Sequence, residues 1–471
     1  MKKRLFRLLA AALLGLPILS SAADGFTLVE LIQRTFDNYP ELALTDLDIE
    51  HARQQLPQVE SRNGYVLGGK SGYSRDLSFI GTPSDTFTVA GELNRKLSSG
   101  ETIALSGSYR REDNSGGAVF RGYPNPANNI DIDLDFRYPF WRGEGNPDYR
   151  QGKIIAGKQV GVAEANRVEQ LDRLASQAID LFYGALFTRY RLENSREAIA
   201  RARRLGAYIE KKYELGLAEQ KDRLQTEARL RAEQARHQSL MLDWQQKRIA
   251  INRLTGRPWN EDVRLLSQLE QFPVSAGKID SFVAEAEEHS PLLSRGRDRL
   301  EIAAAVIEQR RDARRDKLDL VVSAGIRNLS GSAPGNSIDR TALAGGVSIE
   351  YQRALDRRGF DAALYQAQLE RDRIVAEMEA ERYRLRYQVS SLVSGIQGSR
   401  KAVQSYQKRL ASEVTKYRQA EHLFREARFD TSLLLQYEGE LRAADLALQQ
   451  QRIDLLKRYA LLALLRGKLY R

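Results

Sequence analysis

Hydrophobic residues recur along most of this chain at spacings of three and four, the period of an amphipathic helix. Leu171, Leu174 and Ala178 belong to one such series, which predicts a helix over 151–214. The same spacing predicts helices over 28–62, 219–255, 279–316, 361–426 and 432–469. Charged residues are dense in all of these segments, so we expect helices that are wetted on much of their surface.

A smaller part of the chain follows a period of two. Residues 128–141 read NNIDIDLDFRYPFW, in which apolar and polar positions alternate. One parity carries Ile130, Ile132, Leu134, Phe136 and Tyr138, and the other carries Asp131, Asp133, Asp135 and Arg137. This alternation predicts a strand with one apolar and one acidic face. Further strands are predicted over 65–75, 87–97, 102–110, 318–329 and 342–351.

The alternating strand has the length that a membrane-spanning strand needs. The segment 130–140 rises about 36 Å, and a tilt of about 45° leaves about 26 Å, close to the apolar height of an outer-membrane barrel. An aspartate that faces lipid is costly, whereas one that faces a water-filled lumen costs little. We therefore expect Asp131, Asp133 and Asp135 to line a lumen. The alternative is a half-buried strand of a soluble β-sandwich.

The first residues of the chain predict export. Lys2, Lys3 and Arg4 precede a short apolar run at 8–19, and small residues follow at 21–23. This order is typical of a signal peptide over 1–23, with a retained anchor as the alternative. Beyond it no apolar stretch approaches 18 residues, so strands would have to make any membrane crossing.

Composition excludes several classes of function. The chain has no cysteine, and its four histidines lie far apart, so neither a disulfide framework nor a metal site is predicted. Without the four basic residues of 1–23, the chain has 69 basic and 62 acidic residues, a mild excess without a nucleic-acid-binding block. No histidine or carboxylate cluster has catalytic spacing, so an enzyme is not expected. Residues 64–71 match a phosphate-binding loop, but a helix precedes them and a strand follows, the wrong order for that site.

The chain is predicted to contain two copies of one plan, at 24–256 and 279–471, joined by a connector at 257–278. Pro40 and Pro291 open matching helices 251 residues apart, whereas Gly256 and Gly467 match at an offset of 211. The first copy therefore holds 40 extra residues, which must lie in its strand region, 63–142, rather than in 317–354 of the second. That is about the size of one hairpin with its loops.

Six strands are too few to close a useful barrel, and an open strand edge in lipid leaves backbone groups unpaired. We therefore expect several copies to share one barrel, with the helices forming a second tube. The alternative for the helices is an ordinary antiparallel coiled coil, which in function would be a soluble periplasmic adaptor or scaffold.

An ordered set of short motifs resembles the TolC-type outer-membrane efflux channels. It comprises Tyr-Pro-Glu-Leu at 39–42, Tyr-Pro-Phe-Trp-Arg-Gly at 138–143, Tyr-Glu-Leu-Gly-Leu at 213–217, Arg-Leu-Thr-Gly at 253–256 and the twofold repeat. The resemblance implies an α+β membrane protein, a homotrimer whose transmembrane β-barrel continues into a long periplasmic α-helical barrel. It also implies an exit duct in the outer membrane of a Gram-negative cell. Its partners would be lipid, a periplasmic adaptor and an inner-membrane pump, with no cofactor, no nucleic acid and no catalysed reaction.

The same resemblance assigns roles to two turns between helices. Leu215, Gly216 and Leu217 in the first turn, and Ala427 and Arg428 in the second, would form the tip that contacts the adaptor. The family's entrance is narrowed by acidic residues six and nine positions past the turn glycine, which here are Asp222, Gln225, Leu433 and Gln436. The predicted constriction is thus Asp222, Gln225 and Gln436. Only Asp222 is acidic, and its alternative role is to stabilise a helix N-terminus. The family usually has two strands in each half, so either the barrel exceeds 12 strands or one hairpin lies outside it.

Overall fold

The computed structural model describes residues 25–77, 81–116, 123–266, 278–426 and 428–470; the predicted signal peptide lies outside these ranges. Helices alternate with strands twice along the chain. The elements are α1 (Leu28–Asn38), α2 (Glu41–Ser61), β1 (Tyr65–Leu77), β2 (Pro83–Lys96), β3 (Thr102–Asn114), β4 (Ala127–Pro139), α3 (Pro147–Glu214), α4 (Gln220–Leu254), α5 (Ile279–His289), α6 (Pro291–Ala313), β5 (Lys317–Ala333), β6 (Asn336–Gln352), α7 (Arg358–Arg425) and α8 (Thr431–Leu465). Within the described ranges, none of these helices is both long and apolar enough to cross a membrane.

The chain divides into two compact units. The sheet unit comprises Glu41–Glu169 and Ser290–Leu385, and the helical unit comprises Met1–Pro40, Gln170–His289 and Arg386–Arg471. The sheet unit contains a six-stranded antiparallel sheet in the order β1-β2-β3-β4-β5-β6. Four strands come from the first repeat and two from the second, as the alternating segments predict. The extra residues of the first repeat therefore form part of the same continuous sheet.

Two of the predicted helices are each divided in the structure at a proline. Tyr39 separates α1 from α2 in an extended conformation, with φ −79° and ψ 114°, and Pro40 follows it. Ser290 separates α5 from α6 in the same way, with φ −68° and ψ 117°, and its side chain accepts a hydrogen bond from Leu293 N. A proline ring disfavours the helical conformation in the preceding residue, so the helices 28–62 and 279–316 end and begin again.

Matching glycines end the last helix of each repeat. Gly256 follows α4 and Gly467 follows α8, and both have φ +67°. Arg257 N donates to Asn252 O over 2.8 Å, and Lys468 N donates to Ala463 O over the same distance, so both ends form the same capping motif. A Cβ at Gly256 would overlap Asn38, and one at Gly467 would overlap His289. Asn38 and His289 are themselves equivalent repeat positions, so the internal repeat extends to individual packing contacts.

The largest core cluster lies in the helical unit. Leu31 and Ile32 of α1 pack with Ile179 of α3, Ile251 of α4 and Ala460 of α8, and all five are fully buried. Phe26 joins this core through backbone hydrogen bonds to Arg264 O and from Leu266 N. The apolar positions that predicted the helices thus form the surfaces on which they pack.

A three-residue ion-pair group stabilises the end of α8. Glu285 of α5 accepts hydrogen bonds from Arg466 Nε over 2.5 Å and from Lys468 Nζ over 2.9 Å. The Arg466 guanidinium, followed by Lys468, lowers the pKa of Glu285 to about 2. Because the folded-state pKa lies below the unfolded-state value, the ionised carboxyl stabilises the fold above about pH 4.5.

We expect Glu285→Gln to lower the free energy of unfolding at pH 7 by about 1–2 kcal/mol, allowing for partial exposure of the pair. The difference from the native chain should shrink as pH falls from about 4.5 towards 2, because the native carboxyl is then protonated as well. Thermal unfolding followed by circular dichroism measures both. Glu288→Gln, on the exposed surface of the same helix, is the control. A pH-independent difference would contradict the assignment.

Candidate functional site

The register of the sheet gives it two chemically different faces. Residues directly opposite each other in an antiparallel pair point to the same face. Leu134 lies opposite Leu105 on one side, and Ile132 lies opposite Ile326 on the other. Continued across all strands, this face carries Tyr65, Leu67, Tyr73, Phe87, Val89, Leu93, Ile103, Leu105, Tyr109, Ile130, Ile132, Leu134, Phe136, Tyr138, Leu320, Val322, Ile326, Leu343, Val347, Ile349 and Tyr351. We call it the apolar face.

The apolar face is the more exposed of the two along β4. Ile132 and Leu134 are each 49% exposed, whereas Asp131, Asp133 and Asp135 are half-buried. A soluble sheet normally covers its apolar side and exposes its polar side, and this strand does the opposite. The structure therefore confirms the alternating strand and places its three aspartates together on the opposite, polar face.

A row of glycines crosses the apolar face over three neighbouring strands. Gly69 of β1 lies opposite Gly91 of β2, which lies opposite Gly107 of β3. Along the same row, Gly107 is opposite Ile132. In this row of paired residues, the first three strands therefore have no side chain, whereas β4 carries the large apolar side chain of Ile132.

The polar face is less uniformly acidic than the sequence pattern predicts. Arg137 Nη1 contacts Asp319 Oδ2 at 2.9 Å and Glu350 Oε2 at 2.5 Å, which joins β4, β5 and β6. Asp319 is only 2% exposed, whereas the side chains of Arg137 and Glu350 are 37% and 49% exposed. Arg327 Nε lies 3.9 Å from Asp131. These partners were not predicted from the sequence, because 182 residues separate Arg137 from Asp319. The available signal was the alternation of charged residues along β5 and β6.

Aromatic residues gather at the end of the sheet nearest α3 and α7. The rings of Tyr138 and Phe140 lie 5.2 Å apart, and those of Trp141 and Tyr351 lie 6.1 Å apart, both edge to face. Phe140 and Trp141 remain partly exposed. This arrangement has the composition of an interfacial aromatic girdle.

The sequence that matches a phosphate-binding loop has a different structure here. Most of segment 64–71 lies in β1, which follows α2 and leads into β2. A phosphate-binding loop requires a helix N-terminus directly after it, and that geometry is not formed.

The first turn between long helices has the geometry expected from its glycine. Gly216 has φ +72°, and Leu217 N donates to Lys212 O over 2.7 Å. Leu215 and Leu217, on either side of the glycine, are 72% and 70% exposed. The turn therefore presents two large apolar side chains outward.

The second turn has the equivalent hydrogen bond. Arg428 N donates to Leu423 O over 2.9 Å, and both residues match those of the first turn at the offset of 211. Arg428 is exposed, and Ala427 lies outside the described residues. The second turn is thus closed by the same hydrogen bond as the first.

Asp222 takes part in a helix cap. It is the third residue of α4, and its carboxylate accepts a hydrogen bond from Glu219 N over 3.3 Å in a capping box. This is the alternative role that the sequence allows for Asp222, and a place at a pore entrance stays a prediction. Gln225 and Gln436 are exposed, and Gln436 Nε2 donates to Glu440 Oε1 over 2.8 Å.

Two further carboxylates at the turns were missed in the sequence analysis. Glu219 and Asp430 are the N-caps of α4 and α8, again 211 residues apart. The hydroxyl and backbone N–H of Ser432 hold the pKa of Asp430 below its usual value, and the charge of Lys221 acts in the same direction. The repeat offset combined with the N-cap preference for aspartate could have identified Asp430.

We expect Gly216→Ala to destabilise the chain by about 1 kcal/mol, because alanine is strained at positive φ although the space for its Cβ is open. Gly206→Ala is the matched control: Gly206 lies inside α3, where an added Cβ also meets no atom and alanine favours the helix by about 0.5–1 kcal/mol. Opposite shifts in the midpoint of thermal unfolding are expected. A shift of the same sign in both variants would contradict the proposed strain.

Solved structures with the same architecture are outer-membrane channels. The outer-membrane channel OprN superposes with a TM-score of 0.71 at 16% identity, covering 94% of this chain and 90% of that one. CusC, described in terms of transmembrane channel formation, gives 0.68 at 15%, covering 93% and 91%. The outer-membrane protein VceC from Vibrio cholerae gives 0.66 at 16%, covering 94% and 96%.

No protein-family model and no curated protein matches the chain. The structural likeness covers nearly the whole chain and shows that it has the α+β fold of these outer-membrane channels. The resemblance drawn from the short sequence motifs is confirmed at the level of the fold.

Proposed function

We propose that this chain is the outer-membrane channel of a tripartite efflux or type I secretion system. The observation that carries the proposal is the two-faced sheet, built on the fold of outer-membrane channels. Its apolar face is exposed along β4, and its polar face is partly covered there. Neither face alone specifies a channel, but a wall between lipid and water requires both.

The apolar face suits the hydrocarbon core of a membrane. The strands are 13–17 residues long, enough at a tilt of about 45° to cross an apolar band of about 25 Å. The aromatic group around Trp141 and Tyr351 marks one edge of that band. A soluble periplasmic adaptor or scaffold would leave the whole apolar face in water, so the sheet favours the channel over that alternative.

The channel is proposed to be a homotrimer in the outer membrane, with the helices in the periplasm. A single sheet of six strands leaves two edges, and lipid offers no hydrogen bonds to satisfy them. Copies of the chain that share one barrel remove those edges. The internal repeat provides each copy with two hairpins of long helices, from which a periplasmic tube can be built.

The polar face is proposed to line a water-filled lumen. Asp131, Asp133 and Asp135 lie on that face in alternate positions, and among the described residues only Asp131 has an arginine, Arg327, in an ion pair. The remaining carboxylates make the lumen favour cations at this level. The substrate passes along this wall from the periplasmic tube to the exterior.

The helix-to-helix turns are proposed to contact a periplasmic adaptor that connects the channel to an inner-membrane pump. Leu215 and Leu217 expose apolar surface at the first turn, and Arg428 adds a charge at the second. Exposed apolar patches bordered by charge are typical of protein contacts. Asp222, Gln225 and Gln436 are proposed to narrow the entrance near these turns.

Cell fractionation followed by planar-bilayer recording tests the proposal. The chain should remain with the outer membrane, require detergent for extraction, migrate as a trimer and form ion-conducting pores. A monomer that dissolves without detergent and does not conduct would overturn it.

The lumenal aspartates predict ion selectivity. Asp131→Asn, Asp133→Asn and Asp135→Asn combined should lower the cation-to-anion permeability ratio by about threefold at low salt, because nine charges leave the lumen of a trimer. Reversal potentials in a salt gradient measure this ratio. Asp85→Asn with Asp339→Asn is the control, since both residues lie on the apolar face of the sheet, away from the proposed lumen. Equal effects of the two variants would argue against a lumenal position for the three aspartates.

The exposed leucines predict dependence on an adaptor. Leu215→Asp with Leu217→Asp should reduce export in cells about tenfold, because charged side chains oppose an apolar contact. Trimer formation and single-channel conductance should remain. Leu215→Met with Leu217→Met keeps the apolar surface and should retain export. Normal export by the aspartate variant would exclude the first turn from the adaptor contact.

A further inference from the structure

The two edge strands of the sheet are unusually open. β1 and β6 each pair on one side only within the described part of the chain, and all 13 residues of β1 are exposed. Open edges of this length are sites for pairing with another strand, and natural proteins avoid leaving them free. A second copy of the chain is the occupant that fits these edges, because the sheet meets each geometric condition for such pairing.

The first condition is strand direction. Consecutive strands alternate in direction, and the sheet has an even number of them, so β1 and β6 run opposite to each other. When copies are placed side by side, β6 of one is therefore antiparallel to β1 of the next. A ring of copies can close with every strand hydrogen-bonded on both sides.

The second condition is the match of faces. Leu67 and Tyr73 carry the apolar face on β1, while Val347 and Ile349 carry it on β6. Both sets have odd residue numbers, so odd positions must pair with odd ones at the seam. Such pairing continues the lipid-facing surface and the charged surface across the boundary between copies.

The third condition is stagger. A line of paired residues that starts at Tyr65 of β1 crosses the sheet through Arg95, Ile103, Phe136 and Val322 and reaches Val347 of β6. Tyr65 is the first residue of β1, but β6 continues five residues beyond Val347, to Gln352.

Relative to this line of paired residues, the strand end nearest the helices thus moves by five residues between β1 and β6, which are five strand-to-strand steps apart. One residue of about 3.4 Å for each step of about 4.8 Å corresponds to a tilt of about 35°. That is the tilt of strands in closed barrels.

From these three conditions we infer that three copies close one barrel of 18 strands through a β1–β6 seam, instead of the 12 strands usual for this architecture. The inference rests on the proposed trimeric channel and specifies its wall. Extending the stagger by one further step places Val347 of one copy opposite Ser71 of the next, and both positions have the required parity.

The larger strand number sets the width of the lumen. At a spacing of about 4.8 Å and a tilt of about 35°, 18 strands give a backbone diameter of about 34 Å, and 12 strands give about 22 Å. Side chains take about 5 Å from each wall. A folded helix about 10–12 Å wide would almost block the narrower lumen but pass through the wider one. The cargo suited to the wider barrel is therefore bulky and water-soluble.

Disulfide cross-linking tests the seam directly, since the native chain has no cysteine. Ser71→Cys with Val347→Cys should yield covalent trimers on oxidation, because opposed residues lie within disulfide reach. Pairs of Val347→Cys with Gly69→Cys and with Tyr73→Cys test registers shifted by two residues. Gly72→Cys with Val347→Cys, on opposite faces, is the control and should yield little product.

A cryo-electron microscopy map of the purified trimer counts the strands independently. Eighteen strands with β1 beside β6 of the next copy are expected. Two results would overturn the seam and leave the proposed function intact. One is a conducting trimer with 12 strands in its wall, and the other is a conducting trimer in which none of the three same-face pairs forms a cross-link. A soluble monomer would overturn both.

Discussion

Every strand of the sheet has to keep its apolar positions on the same side as those of its neighbours. Because side chains alternate with a period of two, a slip of one residue in any strand would exchange its apolar and charged rows. Five strand pairings maintain this agreement, from Leu67 opposite Leu93 to Ile326 opposite Leu343. The apolar face, the polar face and the match between the two edge strands all depend on that shared register.

The helical unit obeys a different constraint, which the internal repeat satisfies twice. A helix that ends against the beginning of its repeat needs a residue without a side chain at the contact, and Gly256 and Gly467 meet that need against Asn38 and His289. The prolines after Tyr39 and Ser290 end the preceding helices at equivalent places. Large changes in the strand region, including the insertion of 40 residues, thus leave the helical contacts of the two repeats alike.

The sequence predicted most of the elements because their signals are local. Alternation located the six strands, and spacings of three and four located the helices to within a few residues, apart from the two divisions at proline. The contacts of Arg137 with Asp319 and Glu350 were not predicted, because they depend on which strands become neighbours. The capping role of Asp222 was one of two alternatives, because local sequence does not determine which way its carboxylate points. The addition of the extra hairpin to the same sheet also had to come from the structure, since strand pairing is non-local.

The row formed by Gly69, Gly91 and Gly107 has a consequence for the cross-section of the wall. Glycines inside strands are where a sheet bends most easily, and here they occupy three adjacent strands at one level while β4 carries the large Ile132. In the proposed barrel, the wall of each copy would then bend easily along this row. A barrel of three copies would therefore contain three equivalent lines of easy bending, one in each copy.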